Sequence, residues 1–346
     1  MTEKEKLFTD LRKKEIHTQR LFFLFLITLP IIGLFCIGNG AVDLSLKKIF
    51  GCIFFPYKTN TTERLIIMQI RLPRLICCML CGGALGISGA ALQGLFRNSL
   101  SDPYMTGISS GATFGAALSI FLGTGNTIIG LAGTAACAFI GAIGITLIFF
   151  CLIQSRGKKI APGFILLAGL SINMFFSALV SLMMFLNHEK LDQIVLWTMG
   201  SLSSSCWNEV LLLLPGITVG VILLLLCAKD LDIICIDEEM AKSRGININR
   251  CRYILLSACA LTVAVTSAFS GIIGFVGLIV PNAVRIITGP KHARLFVFSF
   301  IFAAAFLSIC DLFARTIMPP SELPVGIITS LLGIPVFLVI LFRSKN

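Results

Sequence analysis

Charged residues are scarce in this sequence. Asp, Glu, Lys and Arg make up 13% of the 346 residues, while 56% are hydrophobic. A soluble domain carries about 25% charged residues. Between Asp102 and Arg156 there is no charged residue at all, so a water-soluble surface could not be built from this stretch. The shortage excludes a soluble globular protein and predicts an all-α polytopic membrane protein.

Residues that most enzyme chemistry requires are missing as well. The three histidines, His17, His188 and His292, show no ligand spacing, and no H-E-x-x-H motif occurs. The phosphate-binding motif G-x-x-x-x-G-K-[ST] is also absent. We therefore expect a protein that is not an enzyme and has no metal or cofactor of its own. If it uses ATP, the ATP and Mg²⁺ belong to a separate partner ATPase.

Cysteine and positive charge are plentiful, but neither indicates a special chemistry. Most of the 13 cysteines lie inside apolar runs, where Cys acts as a small hydrophobic residue. The net charge of +11 comes mostly from short loops between apolar runs, as the positive-inside rule predicts. No basic patch is interleaved with aromatic residues, so we expect contact with lipid and none with nucleic acid.

The apolar runs predict the membrane helices. A span needs about 20 apolar residues to cross roughly 30 Å of hydrocarbon. The predicted spans are Leu21–Ile37, Leu75–Phe96, Thr106–Leu122, Ile128–Leu152, Ile160–Leu186, Val210–Ala228, Tyr253–Gly271, Leu295–Ala314 and Leu323–Phe342.

The basic loops predict the orientation of these spans. They place residues 1–20 as a cytoplasmic tail, residues 229–252 inside and Asn187–Asn208 outside. To satisfy the next basic loop, the chain must also return through Ile273–Val284, about a dozen residues that reach only about 18 Å as a helix. We expect a short helix partly buried in protein there. This gives about ten helices, both termini cytoplasmic, and a single transmembrane domain over 21–346.

The stretch from Gln69 to Ala116 carries the densest pattern. It contains Arg71-Leu72-Pro73-Arg74, then two ladders of small residues at every fourth position, separated by the polar hinge Arg97–Pro103. Small residues at that spacing lie on one helix face and allow two backbones to approach closely. The pattern predicts two tightly packed membrane helices joined by an ordered polar turn. The ladder and hinge residues are Gly82, Gly86, Ala90, Gly94, Asn98, Pro103, Gly107, Gly111 and Gly115.

These motifs resemble the FecCD/BtuC-type permease family of bacterial ABC importers for iron-siderophores, heme and cobalamin. Gly271–Arg285 and the block from Asp311 to Phe337 are similar to further signatures of that family, with Asn282 where the family usually has His. The resemblance implies a type II ABC importer permease fold in the bacterial cytoplasmic (inner) membrane. It also implies a homodimer with two ATP-binding cassette ATPase subunits and a periplasmic or lipid-anchored substrate-binding protein.

Two sets of residues match functional positions of the family. In the cytoplasmic segment 229–252, Glu238, Ala241, Gly245 and Ile246 resemble the segment that docks on the ATPase, and the alternative is an ordinary solvated loop helix. At the outer rim, Arg71, Arg74 and Arg315 match arginines that bind acidic residues of the binding protein. For Arg315 the alternative is an intrahelical pair with Asp311, four residues earlier.

The remaining expectations concern gating and cargo. Pro162 and Gly163 align with the family's cytoplasmic gate region, and Pro281 belongs to the second signature. Asn282 cannot become cationic, which leaves it a packing or capping role. The family resemblance favours an iron(III)-siderophore as cargo, with heme or cobalamin as alternatives. A secondary transporter driven by an ion gradient is a further alternative, although its usual midplane ionisable residues are not evident.

Overall fold

The computed structural model describes residue 25 and residues 27–40, 45–54, 61–123, 130–155 and 162–343, and within these ranges all regular structure is helical. The all-α fold is therefore confirmed. Six described helices are long and apolar enough to cross a membrane, and four shorter apolar helices, Ile27–Gly38, Ile108–Phe121, Val276–Thr288 and Val325–Val339, accompany them. The count of ten spans and the cytoplasmic termini stay predictions, and residues 1–20 lie outside the described ranges.

The helices are numbered in chain order. They are α1 Ile27–Gly38, α2 Leu46–Phe54, α3 Thr61–Leu65, α4 Leu72–Phe96, α5 Ile108–Phe121, α6 Gly130–Ser155, α7 Pro162–Leu186, α8 Leu191–Thr198, α9 Trp207–Ile236, α10 Glu238–Ser243, α11 Ile248–Ser270, α12 Val276–Thr288, α13 His292–Thr316 and α14 Val325–Arg343.

Helix α4 is the centre of the fold, and its small residues explain why. Gly82 and Gly86 press against the main chain of α13: a Cβ on Gly82 would lie 2.4 Å from the Ala303 carbonyl oxygen, and one on Gly86 would lie 2.5 Å from that of Ser299. Any larger side chain would separate the two helices. Helices α9, α11 and α12 also pack on α4, so its apolar core is mostly buried.

The second ladder packs on a different partner. On α5, a Cβ on Gly111 would lie 2.6 Å from the Gly141 carbonyl oxygen of α6, and one on Gly115 would lie 2.1 Å from that of Cys137. The prediction of two closely packing helices is right. Each ladder, however, selects its own neighbour, and this pairs α4 with α13 and α5 with α6.

The start of the second span differs from the prediction. Instead of beginning at Leu75 after a loop, the helix runs without interruption from Thr61 to Phe96, and Ile66–Arg71 form a π-helical turn. Pro73 follows that segment directly and has no N–H to donate to the preceding turn. The wider π turn lets a continuous helix pass the proline, so Arg71 and Arg74 lie on a helix rather than at its entrance.

Helix α12 confirms the predicted short buried helix, with a shift in its bounds. It begins at Val276 and ends at Thr288, whereas the expected helix covered Ile273–Val284. Residues 271–275 are not helical, and Gly271 and Phe275 both have positive φ, +67° and +69°. Within this segment the Ile273 amide donates to the Tyr104 hydroxyl at 2.9 Å, which satisfies one main-chain group away from water.

Candidate functional site at the two ends of helix α4

Arg74 makes a buried ion pair at the N-terminal end of α4. We call this end of α4 the outer end, and its C-terminal end the inner end, after the orientation that the basic loops predict. Its guanidinium donates to the Asp311 carboxylate at 2.8–3.1 Å, and its Nη1 lies 2.9 Å from a carboxylate oxygen of Glu322. The side chains of Arg74 and Asp311 are only 8% and 5% exposed. The close contact of α4 and α13 places these two groups opposite each other.

The partner of Asp311 corrects one expectation. The intrahelical pair with Arg315 is the weaker contact, because Arg315 Nε lies 3.7 Å from Asp311 Oδ2 while Arg74 binds the same carboxylate with two nitrogens. Sequence spacing shows only neighbours within one helix, and the stronger partner comes from α4.

Arg71 and Arg315 bind the last carbonyls of α1. Arg71 Nη1 donates to Ile37 O at 2.5 Å and to Gly38 O at 3.2 Å, and Arg315 Nη2 donates to Cys36 O. These carbonyls have no partner within their own helix, and cations at a helix C-terminus also oppose its dipole. All three rim arginines thus have internal partners, and their docking role stays a prediction.

An outer cavity adjoins this arginine cluster. It has a volume of about 500 Å³ and lies between α8, the outer ends of α5, α6 and α11, and the start of α9. Trp197, Ser203, Glu209, Phe269 and Glu322 are among the residues that line it. Sequence analysis placed α8 in an outer loop and missed this short helix, although Leu191, Ile194 and Val195 have helical spacing.

A smaller cleft of about 230 Å³ separates α5 from α7, and its lining is uncharged. Apart from Val180 and Ile272, every lining residue carries a hydroxyl or an amide: Ser109, Ser110, Thr113, Asn173, Ser177, Ser181 and Thr198. The sequence held a signal for this cleft that we did not use. Asn173, Ser177 and Ser181 recur every fourth residue and so share one face of α7.

The predicted gate residues lie at the start of α7. Pro162 is the first residue of that helix, and Gly163 is exposed with open space around its Cα. Residues 156–161, which precede them, lie outside the described ranges. The gate role is untested and stays a prediction.

The polar hinge after α4 is the ordered turn that the sequence predicts. Asn98 Oδ1 accepts from Leu100 N at 2.9 Å, and Asp102 Oδ1 accepts from Tyr104 N at 2.8 Å, where Pro103 begins a 3₁₀ turn. Partial burial raises the pKa of the Asp102 carboxyl to about 6, against the opposing effect of the Tyr104 N–H. Gly107 has a φ of +80° and faces α7, which explains why glycine ends the turn.

The predicted coupling residues form the short helix α10 and the turn after it. Asp237 caps the helix by accepting from the amides of Glu239 and Met240. Ala241 is fully buried against the chain's own core, whereas Gly245, with a φ of +77°, lies exposed beyond the helix end and Ile246 is partly buried. Ala241 therefore points inward, so Glu238, Ala241 and Gly245 do not form one continuous strip on the surface, and the docking role of the predicted coupling residues stays a prediction. The exposed side presents other residues, including Met240 and Lys242.

Charged side chains join α10 to the inner end of α4. Glu238 Oε1 lies 2.7 Å from Arg252 Nη2 and 3.7 Å from Arg97 Nη2, and Arg97 also donates to Ile234 O at 2.5 Å. Through this one carboxylate α10 binds Arg252 of α11 and approaches Arg97 at the end of α4.

His292 and Asp232 form a second inner contact that sequence reasoning missed. His292 Nδ1 and its main-chain N–H lie 2.6 and 2.9 Å from Asp232 Oδ1, and the ring packs over Gly94. A Cβ on Gly94 would lie 2.3 Å from His292 Nε2. The histidine thereby ties the start of α13 to the end of α9 and to α4, although its sequence position suggested no partner.

The comparisons with known proteins agree with this arrangement. The family model described as the FecCD transport family matches residues 26–343. An uncharacterized ABC transporter permease, YvrB of Bacillus subtilis, is 37% identical over 94% of this chain and 93% of its own. The hemin transport system permease HmuU of Yersinia pestis is 36% identical over 93% of this chain and 95% of its own.

Solved structures and further relatives extend the match. A structure described as an inward-facing conformation of a metal-chelate type ABC transporter has a TM-score of 0.83 and 30% identity, covering 94% of this chain and 99% of that one. Other relatives are named as permeases for cobalamin, molybdate, iron chelatin and Fe(3+)-citrate. The chain belongs to the FecCD transport family and is the membrane-spanning permease subunit, not the enzyme, of an ABC importer of the bacterial inner membrane.

Proposed function

We propose that this permease imports an iron(III)-siderophore chelate. The observation that supports this cargo is the cleft between α5 and α7, whose lining offers hydroxyls and one amide and no charged side chain. In a siderophore chelate the metal ion is enclosed by the donor atoms of its ligand, so a transporter contacts the hydrogen-bonding groups of the ligand and not the bare cation. An uncharged polar lining suits such a molecule because several weak hydrogen bonds bind the cargo without preventing its release.

The same lining argues against a bare oxyanion. Tight recognition of a small anion uses charge-assisted hydrogen bonds from Arg, Lys or several N–H groups. Among its lining residues this cleft has serine and threonine hydroxyls instead. Heme or cobalamin import by the same machinery remains the alternative, since relatives carry those names. A secondary transporter driven by an ion gradient is no longer an alternative, because the chain belongs to a family of ABC importer permeases.

The assembly we propose is a homodimer with two ATPase subunits and a periplasmic or lipid-anchored binding protein. Helix α7 exposes large apolar side chains next to the cleft, including Met174, Phe175, Leu182 and Phe185. A second copy over that face would turn the open cleft into an enclosed path between two subunits. Its large apolar contact is typical of an obligate interface.

The ATPase is proposed to bind α10. The exposed surface of α10 combines Met240 (43% exposed) and the neighbouring Ile236 (74% exposed) with charged residues such as Lys242. A short helix with an apolar centre and charged flanks fits a groove on a partner protein. ATP binding would then move α10, and the dimer would switch between outward and inward access.

Docking of the binding protein is proposed at the outer rim. Glu322 is exposed and lies 2.9 Å from Arg74, and Arg315 lies 3.7 Å from Asp311, the other acidic partner of Arg74. An acidic side chain of the binding protein would compete with internal partners there. Association is therefore expected to weaken with rising salt.

The test is uptake by proteoliposomes that hold the permease, its ATPase and its binding protein. Labelled ferric siderophore, heme, cobalamin and molybdate are compared with ATP and with a non-hydrolysable analogue. ATP-dependent uptake of the ferric siderophore and of no other compound supports the proposal. Uptake of heme, cobalamin or molybdate instead would show that the proposed cargo is wrong. Within the cleft, Ser177→Val should slow uptake a few-fold through one lost hydrogen bond. The matched Ser171→Val, on α7 outside the cleft, should not.

A further inference from the structure

Helix α12 contains a proline that deprives one buried carbonyl of its usual partner. In a helix the Gly277 carbonyl would accept from the N–H of residue 281, but Pro281 has no N–H. Both residues are buried, so bulk water cannot donate a hydrogen bond to this carbonyl in place of the missing N–H. A buried carbonyl of this kind needs a donor from elsewhere.

Gln93 of α4 supplies that donor. Its side chain is 1% exposed, and its Nε2 lies 3.4 Å from Gly277 O and 3.1 Å from Leu278 O. The other end of the amide is also used, because Oε1 accepts from Arg285 Nη2 at 3.3 Å. One glutamine thus binds α12 on both sides of its proline.

The main chains meet closely at the same place. A Cβ on Gly89 of α4 would lie 1.8 Å from Gly277 O, and a Cβ on Gly277 would lie 2.6 Å from Pro103 of the polar hinge. Asn282 Nδ2 adds a hydrogen bond of 2.8 Å to Ser99 O. The interrupted turn of α12 is therefore fixed between α4 and the hinge that follows it.

One helical turn further on, α4 contacts the segment that leads into α10. Cys235 Sγ lies 3.4 Å from Gly94 O, and Arg97 reaches both Ile234 O and Glu238. Residues 93–97 consequently touch the coupling segment on one side and α12 on the other.

We propose that Gln93 is a positioning residue that replaces the hydrogen bond lost at Pro281 and makes α12 move together with α4. A displacement of α10 would then be passed through the end of α4 to the short apolar helix α12. The hydrogen-bond step rests on contacts within this chain alone. The transmitted movement rests on the proposed coupling role of α10.

The first experiment measures amide hydrogen exchange in the full-length permease in lipid nanodiscs. Gln93→Met removes the donor at similar size, and exchange within residues 278–286 should become about tenfold faster. Gln93→Glu keeps an acceptor for Arg285 but loses the donor, so it should give the same increase. Gln69→Met, at an exposed position of the same continuous helix, is the matched control and should leave α12 unchanged.

The rescue makes the test specific. Pro281→Ala restores the N–H for Gly277 O, so adding it to Gln93→Met should return most of the lost protection. General loss of packing would not be reversed by a second substitution in the same contact. Unchanged exchange in both Gln93 variants, or no recovery in the double variant, would overturn the inference.

The second experiment measures cargo moved per ATP hydrolysed in the assembled importer. Gln93→Met should lower this ratio several-fold while ATP hydrolysis continues, and Pro281→Ala should restore it. A parallel fall of transport and hydrolysis at a constant ratio would overturn the transmission step. The exchange experiment needs neither cargo nor ATPase, so a wrong cargo would fail the uptake assay and leave its result unaffected.

Discussion

The two ends of helix α4 hold their charges differently. At the outer end, Arg74 and Asp311 are 8% and 5% exposed and share three hydrogen bonds of 2.8–3.1 Å. At the inner end, Arg97 and Glu238 are 47% and 37% exposed and lie 3.7 Å apart. Separating a buried pair is costly because each charge would be left without a partner and without water. Charges of an exposed pair can bind water when they separate. The outer end is thus built as a fixed anchor and the inner end as a contact that can rearrange.

Removing one partner of the outer pair should have the largest effect. Arg74→Leu leaves Asp311 buried without its main partner, and we expect a loss of about 3–5 kcal/mol in the free energy of unfolding. Chemical denaturation in detergent measures it, with Arg64→Leu at an exposed position as control. The double variant Arg74→Leu/Asp311→Leu should lose less than the single one. A double variant less stable than Arg74→Leu would contradict the anchor.

A substitution that forces α4 and α12 apart should have the second largest effect on stability. Gly89→Ala would place a Cβ 1.8 Å from Gly277 O, so the helices must separate, at a cost of about 1–3 kcal/mol or more. The same substitution at Gly144 of α6 meets nothing within 4 Å and should be neutral or slightly stabilising. Thermal unfolding of the two variants compares them directly. Equal midpoints would show that the close approach carries little energy.

Breaking the inner contact should cost less stability. Glu238→Gln removes the charge that joins Arg97 and Arg252 but keeps an amide oxygen for Arg252, which is only 10% exposed, so we expect a loss of about 1 kcal/mol. We expect a small shift in the unfolding midpoint together with reduced stimulation of the ATPase by the permease. Glu189→Gln, an exposed acid of the outer segment, serves as the stability control. A loss as large as that of Arg74→Leu would remove the difference between the two ends.

The smallest expected effect is a pH dependence from the hinge. Because the folded-state pKa of Asp102 is raised to about 6, its neutral form is favoured by folding. Its contribution to stability is present below the unfolded pKa, about 4, and is lost as the pH rises through about 6. Stability measured between pH 4 and 7 should change less in Asp102→Asn than in the wild type. Asp192→Asn, which alters an exposed acid, should keep the wild-type slope.

Local spacing predicted the parts of this fold that depend on neighbours within one helix. The ladder at Gly82 and Gly86 showed that a backbone must approach, and the short run before Arg285 showed a helix too short to cross alone. Spacing could not name the partner. Asp311 has Arg315 four residues away, but its stronger ligand Arg74 is 237 residues distant in sequence.

The sequence also does not show which way a helix face points. Helical spacing groups Glu238, Ala241 and Gly245, yet it does not say whether that face points outward or into the protein. In the structure Ala241 is buried while Gly245 is exposed, so the three residues do not share one surface face. The same limit hid the role of Gln93, since its donor is explained only by a proline in another helix. The cleft was within reach, because Asn173, Ser177 and Ser181 share one face of α7.

The arginine contacts at the outer end of α1 have a consequence for the order in which the chain is made. Arg315, which binds the Cys36 carbonyl, is synthesised 279 residues after it, and Asp311 follows Arg74 by 237 residues. A growing chain therefore holds Arg74 in the membrane without its carboxylate until α13 has been inserted. The outer anchor therefore forms late in synthesis, and a chain that stops before α13 would lack the carboxylate of Asp311 for Arg74.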